Sequence, residues 1–162
     1  MQHSQQVREF HDKHSYDVDL SLKNKFEKIG SEVGTSILHT YARILNDMSS
    51  SLESGTPAPG QDSSEYDPRL LRAHLMLEEL AETIEGLAQR NELKVLDGLA
   101  DLSYVTHGTA VTFGLPLDAA FDEVHRSNMT KGVRHGDVRL RTKGEDYQPP
   151  DLQRVLDCHR GA

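Results

Sequence analysis

Apolar residues recur along the chain at steps of three and four. Leu22, Phe26, Ile29, Val33, Ile37, Tyr41, Ile44 and Met48 fall on one face of a helix, and the stripe predicts a long amphipathic helix over 22–48. Gly30 and Gly34 weaken that helix but admit a close neighbour. Upstream, residues 3–14 (HSQQVREFHDKH) read as a short helix. Ser49 to Asp67, rich in Ser, Gly and Pro, reads as a turn-rich, mobile loop. Asp67-Pro68 then supplies an N-cap and a proline at the first helical position. Ala73, Leu77, Leu80, Ile84 and Leu87 continue as a helical stripe to about Arg90. A third helix opens near Glu92 and runs to Phe113, where Gly114 and Pro116 stop it. A fourth starts at Asp118 and passes through Ala120, Phe121 and Val124 to Met129. Residues 133–142 alternate around His135-Gly136-Asp137 as a small hairpin would, and Lys143 to Leu152 reads as an extended tail. No internal repeat is present. The pattern predicts an all-α bundle of four to five helices with a short hairpin-like, extended C-terminal appendage, in one domain over 1–162.

Composition agrees with this pattern. Aromatics make up 6% of the residues and Trp is absent, so the core rests on Leu, Ile, Val, Ala and Met, a set that suits helices better than a β-sandwich. Apolar runs are too short for a membrane span, and the first residues lack the basic-then-apolar order of a signal peptide. A cytoplasmic location, in a bacterium or a phage-infected host cell, is expected. The single cysteine, Cys158, permits neither an intrachain disulfide nor a cysteine zinc cluster. A formal net charge of −8 disfavours nucleic acid and anionic membrane as partners. It leaves open a nucleotide whose phosphates are bridged to acidic groups by a divalent cation.

The acidic residues of the second and third helices carry the candidate chemistry. From Val95 to Leu115 the only acidic or basic side chains, His107 aside, are Asp97 and Asp101, four residues apart on one side of a helix that is apolar nearly all round. Such a helix reads as buried, and buried carboxylates need a cationic partner. The preceding helix is joined by a short turn and brings Glu78, Glu79 and Glu82 alongside. Lys or Arg could offset the aspartates in a structural network, and glutamates alone are commonly a solvated face. Four or five carboxylates together, however, call for divalent cations. An all-oxygen donor set selects Mg²⁺, with Mn²⁺ as a substitute and room for two or more ions. Magnesium recruits substrate phosphates, which points to a metal-dependent phosphohydrolase. His11, His14 and the other histidines have no zinc-like spacing and are expected on the surface.

Glu78-Glu79-Leu80-Ala81-Glu82 followed by Asp97-Gly98-Leu99-Ala100-Asp101 resembles the EExxE and ExxD signature of the MazG-like all-α nucleoside triphosphate pyrophosphatases. That group includes phosphoribosyl-ATP pyrophosphohydrolase and the dUTP and dCTP pyrophosphatases. The runs Glu123 to Lys131 and Lys143 to Asp151 resemble a phage and bacterial branch labelled "Cof-like", and the resemblance spans roughly Asp67 to Leu152. It implies hydrolysis between the α and β phosphates, to a monophosphate and pyrophosphate. It also implies Glu79, Glu82 and Asp101 as metal ligands, with Glu78 as a further ligand or the base that orients water. Lys131 joins the catalytic set and holds phosphate oxygens with Asn128 and Arg126, and Tyr104, in register with Asp97 and Asp101, stacks on the base. The family's glutamate three residues before the last aspartate is here Gly98, so Asp97 is left to supply that carboxylate from about 100° around the helix. Resemblance to phage enzymes favours dGTP among purine deoxynucleotides. Both the resemblance and the extent of apolar stripe predict a homo-oligomer, a tetramer built as a dimer of dimers. Two other readings are weighed. Asp17-Val18-Asp19 has the spacing of a haloacid-dehalogenase phosphatase but lacks the preceding apolar strand, and a non-enzymatic helical interaction module would leave the acids as a solvated face.

Overall fold

The computed structural model describes residues 2–13, 32–53, 67–132 and 143–161. Their elements are helices: α1 (Gln2–Lys13), α2 (Glu32–Glu53), α3 (Pro68–Ala88), α4 (Glu92–Phe113), α5 (Leu117–Met129) and α6 (Leu152–Arg160). The all-α class expected from the periodicity is the class found. The expected hairpin at 133–142, the first part of the 22–48 helix and Asp17-Val18-Asp19 lie outside the described residues. None of the helices among the described residues is long and apolar enough to cross a membrane.

Two compact units divide the chain, one over Ser21–Phe113 and one formed by Met1–Leu20 with Gly114–Ala162. In the first, α3 packs against α2 and against α4. The Asp67 carboxylate caps α3 by accepting from the Arg69 amide at 2.9 Å, as the Asp-Pro pair predicts. At its other end Gln89, Arg90 and Asn91 donate their amides to the carbonyls of Glu85, Leu87 and Gly86, and Arg90 takes a left-handed φ of 55°. Asn91 Oδ1 then accepts from the amides of Leu93 and Lys94 at 3.1 and 3.2 Å. One tight turn thereby caps two helices and sets them antiparallel.

Contacts to the two neighbours fall on opposite sides of α3. His74 and Glu85 meet Ser49 and His39 of α2. Arg72, Met76, Thr83 and Gly86 meet Gly108, Thr109, Gly98 and Val95 of α4, so each step back along α3 is a step forward along α4. The apolar residues buried in this unit are small or β-branched: Ala42, Ala81, Ala88, Val95, Val105 and Ala110. Small side chains let helix axes approach closely and leave the larger ones outside.

Three expectations are corrected here. Ser49 to Glu53 is not loop but the last part of α2, and Ser49 is buried, because its hydroxyl donates to the His74 carbonyl at 3.1 Å. The third helix is not buried all round: Leu93, Leu96 and Val111 are 75, 67 and 83% exposed, since within its unit it packs on α3 along one side. The C-terminal tail is not wholly extended, because α6 follows Asp151, whose carboxylate accepts from the Arg154 amide at 3.0 Å.

In the second unit α1 packs on α5, and α5 on α6. Gln6 Nε2 donates to Asp122 Oδ1 at 2.6 Å, the His3 ring stacks on Phe121 at 4.2 Å, and Lys13 Nζ donates to the Met129 carbonyl. The Glu123 side chain is buried. It accepts from Arg126 Nε and NH2 at 2.9 and 2.8 Å and from the Asp151 amide at 2.7 Å. These donors, Arg126 first, hold its carboxyl down at about 2, so the clasp that fixes the start of α6 is ionised throughout the neutral range.

Candidate functional site

The five carboxylates singled out from the sequence all stand on the α3–α4 pair. On α3, Glu78, Glu79 and Glu82 occupy the side left between the α2 and α4 contacts, and on α4 Asp97 and Asp101 share one face. Glu79 is the centre of the group. Its carboxyl is pushed above the ordinary carboxylate value, first by burial and then by the charges of Asp101, Glu82, Glu78 and Asp97, in that order. Among the described residues no lysine or arginine makes an ion pair with any of the five. Hard oxygen donors with mutual repulsion and no Lys or Arg counter-charge among the described residues suit a divalent cation such as Mg²⁺.

Glu78 is held from behind. His74, one turn earlier on α3, places Nε2 3.8 Å from Glu78 Oε2, and its Nδ1 lies 2.7 Å from the Ser49 hydroxyl of α2. The His74 side chain is 15% exposed, which corrects the expectation that the histidines are surface groups; His125, beside Glu9, is another inward one. The i, i+4 spacing of His74 and Glu78 was the available signal. Ser49 had none, since it sits in a serine-rich run that reads as loop.

Gly98, where the family's glutamate is missing, is buried against α3. A Cβ there would lie 2.6 Å from Thr83 Oγ1 and 2.9 Å from the Thr83 amide nitrogen. Position 98 thus faces the packed seam, whereas Asp97 is exposed and adds to the charge felt by Glu79. Tyr104, 80% exposed, is no core tyrosine and stands one turn beyond Asp101.

Arg126, Asn128 and Lys131 belong to the other compact unit. Arg126 is engaged in the Glu123 clasp and also donates to Gln148 Oε1 at 2.9 Å and the Pro149 carbonyl at 3.1 Å. Asn128 and Lys131 sit at the C-terminal end of α5, half-buried.

Comparison with known proteins gives two matches. The family model described as phosphoribosyl-ATP pyrophosphohydrolase matches residues 39–128, more than half of the chain. That span takes in most of α2, which carries no recognisable motif, and ends before Lys131. The chain is also 28% identical over 89 residues to the uncharacterized protein L479 of Acanthamoeba polyphaga mimivirus, a stretch that is 54% of this chain and 35% of that protein. The chain thus spans about a third of the length of the curated relative it matches. No solved structure matches it.

Proposed function

Because the chain belongs to the phosphoribosyl-ATP pyrophosphohydrolase family, we propose that it is a metal-dependent nucleotide pyrophosphohydrolase that converts a nucleoside triphosphate to the monophosphate and pyrophosphate. The observation that supports this reading is Glu79, raised first by its burial and then by the charges of Asp101, Glu82, Glu78 and Asp97 on the same helix pair, with no lysine or arginine paired to any of the five among the described residues. Glu78, Glu79, Glu82, Asp97 and Asp101 would hold Mg²⁺, or Mn²⁺ in its place, as two or more ions. When bound, the metal supplies charge neutralisation at phosphate oxygens and lowers the pKa of water. Glu78, with His74 Nε2 3.8 Å away, would accept a proton from the attacking water. Tyr104 is carried as a substrate contact on the resemblance alone. Asn128 and Lys131 are carried as phosphate contacts on the resemblance alone, as is the preference for dGTP.

A panel of nucleoside triphosphates with Mg²⁺ in ¹⁸O-labelled water tests this. Label is expected in the monophosphate or in pyrophosphate, with dGTP turned over fastest. Label in released orthophosphate alone would reject α–β cleavage. A helical interaction module without activity would show no turnover of any nucleotide and no rise in melting temperature with Mg²⁺.

The proposal extends to a homo-oligomer, a dimer or a dimer of dimers. On α2, Val33, Ile37, Tyr41, Ile44 and Met48 are all exposed, because Ala42 and Ser49 of the other face are the residues that pack on α3. An exposed apolar stripe of this length, joined by Leu93, Leu96 and Leu99 of α4, suits a second copy of the chain, whose own stripe would be covered in the same contact. Ile37→Lys with Ile44→Lys is expected to dissociate the assembly in sedimentation and to lower activity with every proposed ligand intact. Full activity in an unmodified chain that sediments as a monomer would reject the oligomer.

A further inference from the structure

The acids account for one stretch of the α3–α4 seam, and the same seam continues to a group that they do not explain. Arg72 lies on the α4 side of α3, seven residues before Glu79, as Gly108 lies seven residues after Asp101 on the antiparallel neighbour. Two turns of helix amount to about 10 Å, so Arg72 and Gly108 form the next level of the seam. The guanidinium rests over Gly108: a Cβ added at Gly108 would stand 3.0 Å from Arg72 NH1, and the missing side chain is what leaves the fork its place. Arg72 Nε is buried with no hydrogen-bond partner, and no carboxylate pairs with Arg72 among the described residues. The chain carries 26 acidic and 18 basic residues, so an arginine left without a carboxylate this near to five of them is not a matter of supply. The side chain as a whole is half-buried, and a buried guanidinium N–H left without a partner in a native fold calls for one.

We infer that Arg72 holds the terminal phosphates of the substrate, and the pyrophosphate that leaves, at the far end of the seam from the acids. This rests on the reading of the five carboxylates as the cleavage site. A triphosphate whose α–β linkage lies at the acids runs its β and γ phosphates on along the groove, over a distance that an arginine side chain can meet. A planar guanidinium with several donors matches two phosphate oxygens at once, which a lysine does not reproduce. The seam then divides the work. Acids with their cations hold the bond that is cut, and a fixed organic cation holds the leaving group.

Calorimetry with inorganic pyrophosphate and Mg²⁺ tests this directly, with the monophosphate product as the control ligand. Arg72→Met is expected to bind pyrophosphate at least about tenfold more weakly than the parent chain, with Arg72→Lys in between, while monophosphate affinity stays unchanged. In turnover the same variants raise KM for the triphosphate. Pyrophosphate affinity equal to the parent's in Arg72→Met, or an equal loss for pyrophosphate and monophosphate, would overturn the inference. Circular dichroism verifies folding, and if Arg72→Met does not fold, Arg72→Lys carries the same two-ligand comparison. A parent chain that releases no pyrophosphate from any nucleotide refutes the cleavage site itself. An active parent chain whose Arg72 variants keep its KM and pyrophosphate affinity refutes the role of Arg72 alone.

Discussion

Glu82→Gln and Asp101→Asn are each expected to lower turnover by at least about a hundredfold, the scale of removing one electrostatic element from a catalytic site, without loss of helix content. Both side chains are exposed, and neither makes a hydrogen bond or ion pair that the fold depends on, so the loss should lie in the chemistry and not in folding. Melting experiments separate the two. Glu79 is raised by Asp101 and Glu82 among its neighbours, and each substitution removes one of those repulsions. In the absence of Mg²⁺ the variants should therefore melt no lower than the parent. With Mg²⁺ the parent gains stability according to how far the ion exceeds its dissociation constant, and the variants gain less. Near-normal turnover in both would remove the metal-site reading. Asp97→Ala adds a third comparison: an unchanged rate there would mean that Asp97 merely borders the site.

Much of this arrangement was legible in the sequence, for reasons that particular residues show. Asp67-Pro68 marked the start of α3 because a capping carboxylate and a proline at the first position are both local requirements. Gly114 and Pro116 marked the end of α4 in the same way, and Gly114 adopts a φ of 61° that other residues rarely take. The five acids were legible because their spacing on adjacent helices is fixed by the helix repeat and a short turn. What failed were inferences about surroundings. Periodicity identifies apolar faces but does not say what covers them, and Leu96 and Leu99 of α4 are exposed although the same pattern would serve a core. Ser49 and His74 were missed since their value lies in a contact between helices, across a segment of the sequence that carries no spacing rule. The C-terminal helix was missed although Pro149-Pro150-Asp151 contains a capping residue, because no apolar stripe of sufficient length follows it.

Restoring the family's glutamate with Gly98→Glu is expected to damage the protein, not to improve it. Sequence comparison alone would suggest the opposite, since the substitution completes the ExxD pattern and replaces a glycine inside a helix, a change worth about 1 kcal/mol on helix propensity. Against this stands the seam. The new Cβ would meet Thr83 Oγ1 at 2.6 Å and the Thr83 backbone at 2.9 and 3.0 Å. A hydroxyl can rotate away, but a backbone within α3 cannot, so the two helices must part. Overpacking of this kind typically costs about 1–3 kcal/mol and occasionally more, and here a carboxylate is driven into a packed seam besides. A net destabilisation of about 2 kcal/mol or more is expected in urea unfolding. Turnover should fall with it, since separating α3 from α4 draws Asp97 and Asp101 away from Glu79. Gly98→Ala isolates the steric part, because it places the same Cβ without the charge, and it too should be less stable than the parent despite its better helix propensity. Thr83→Ala in the Gly98→Ala background should recover part of the loss by removing the nearest atom, though not the backbone contacts. Undiminished stability with higher turnover in Gly98→Glu would show that position 98 faces the ions after all, and that Asp97 does not stand in for it.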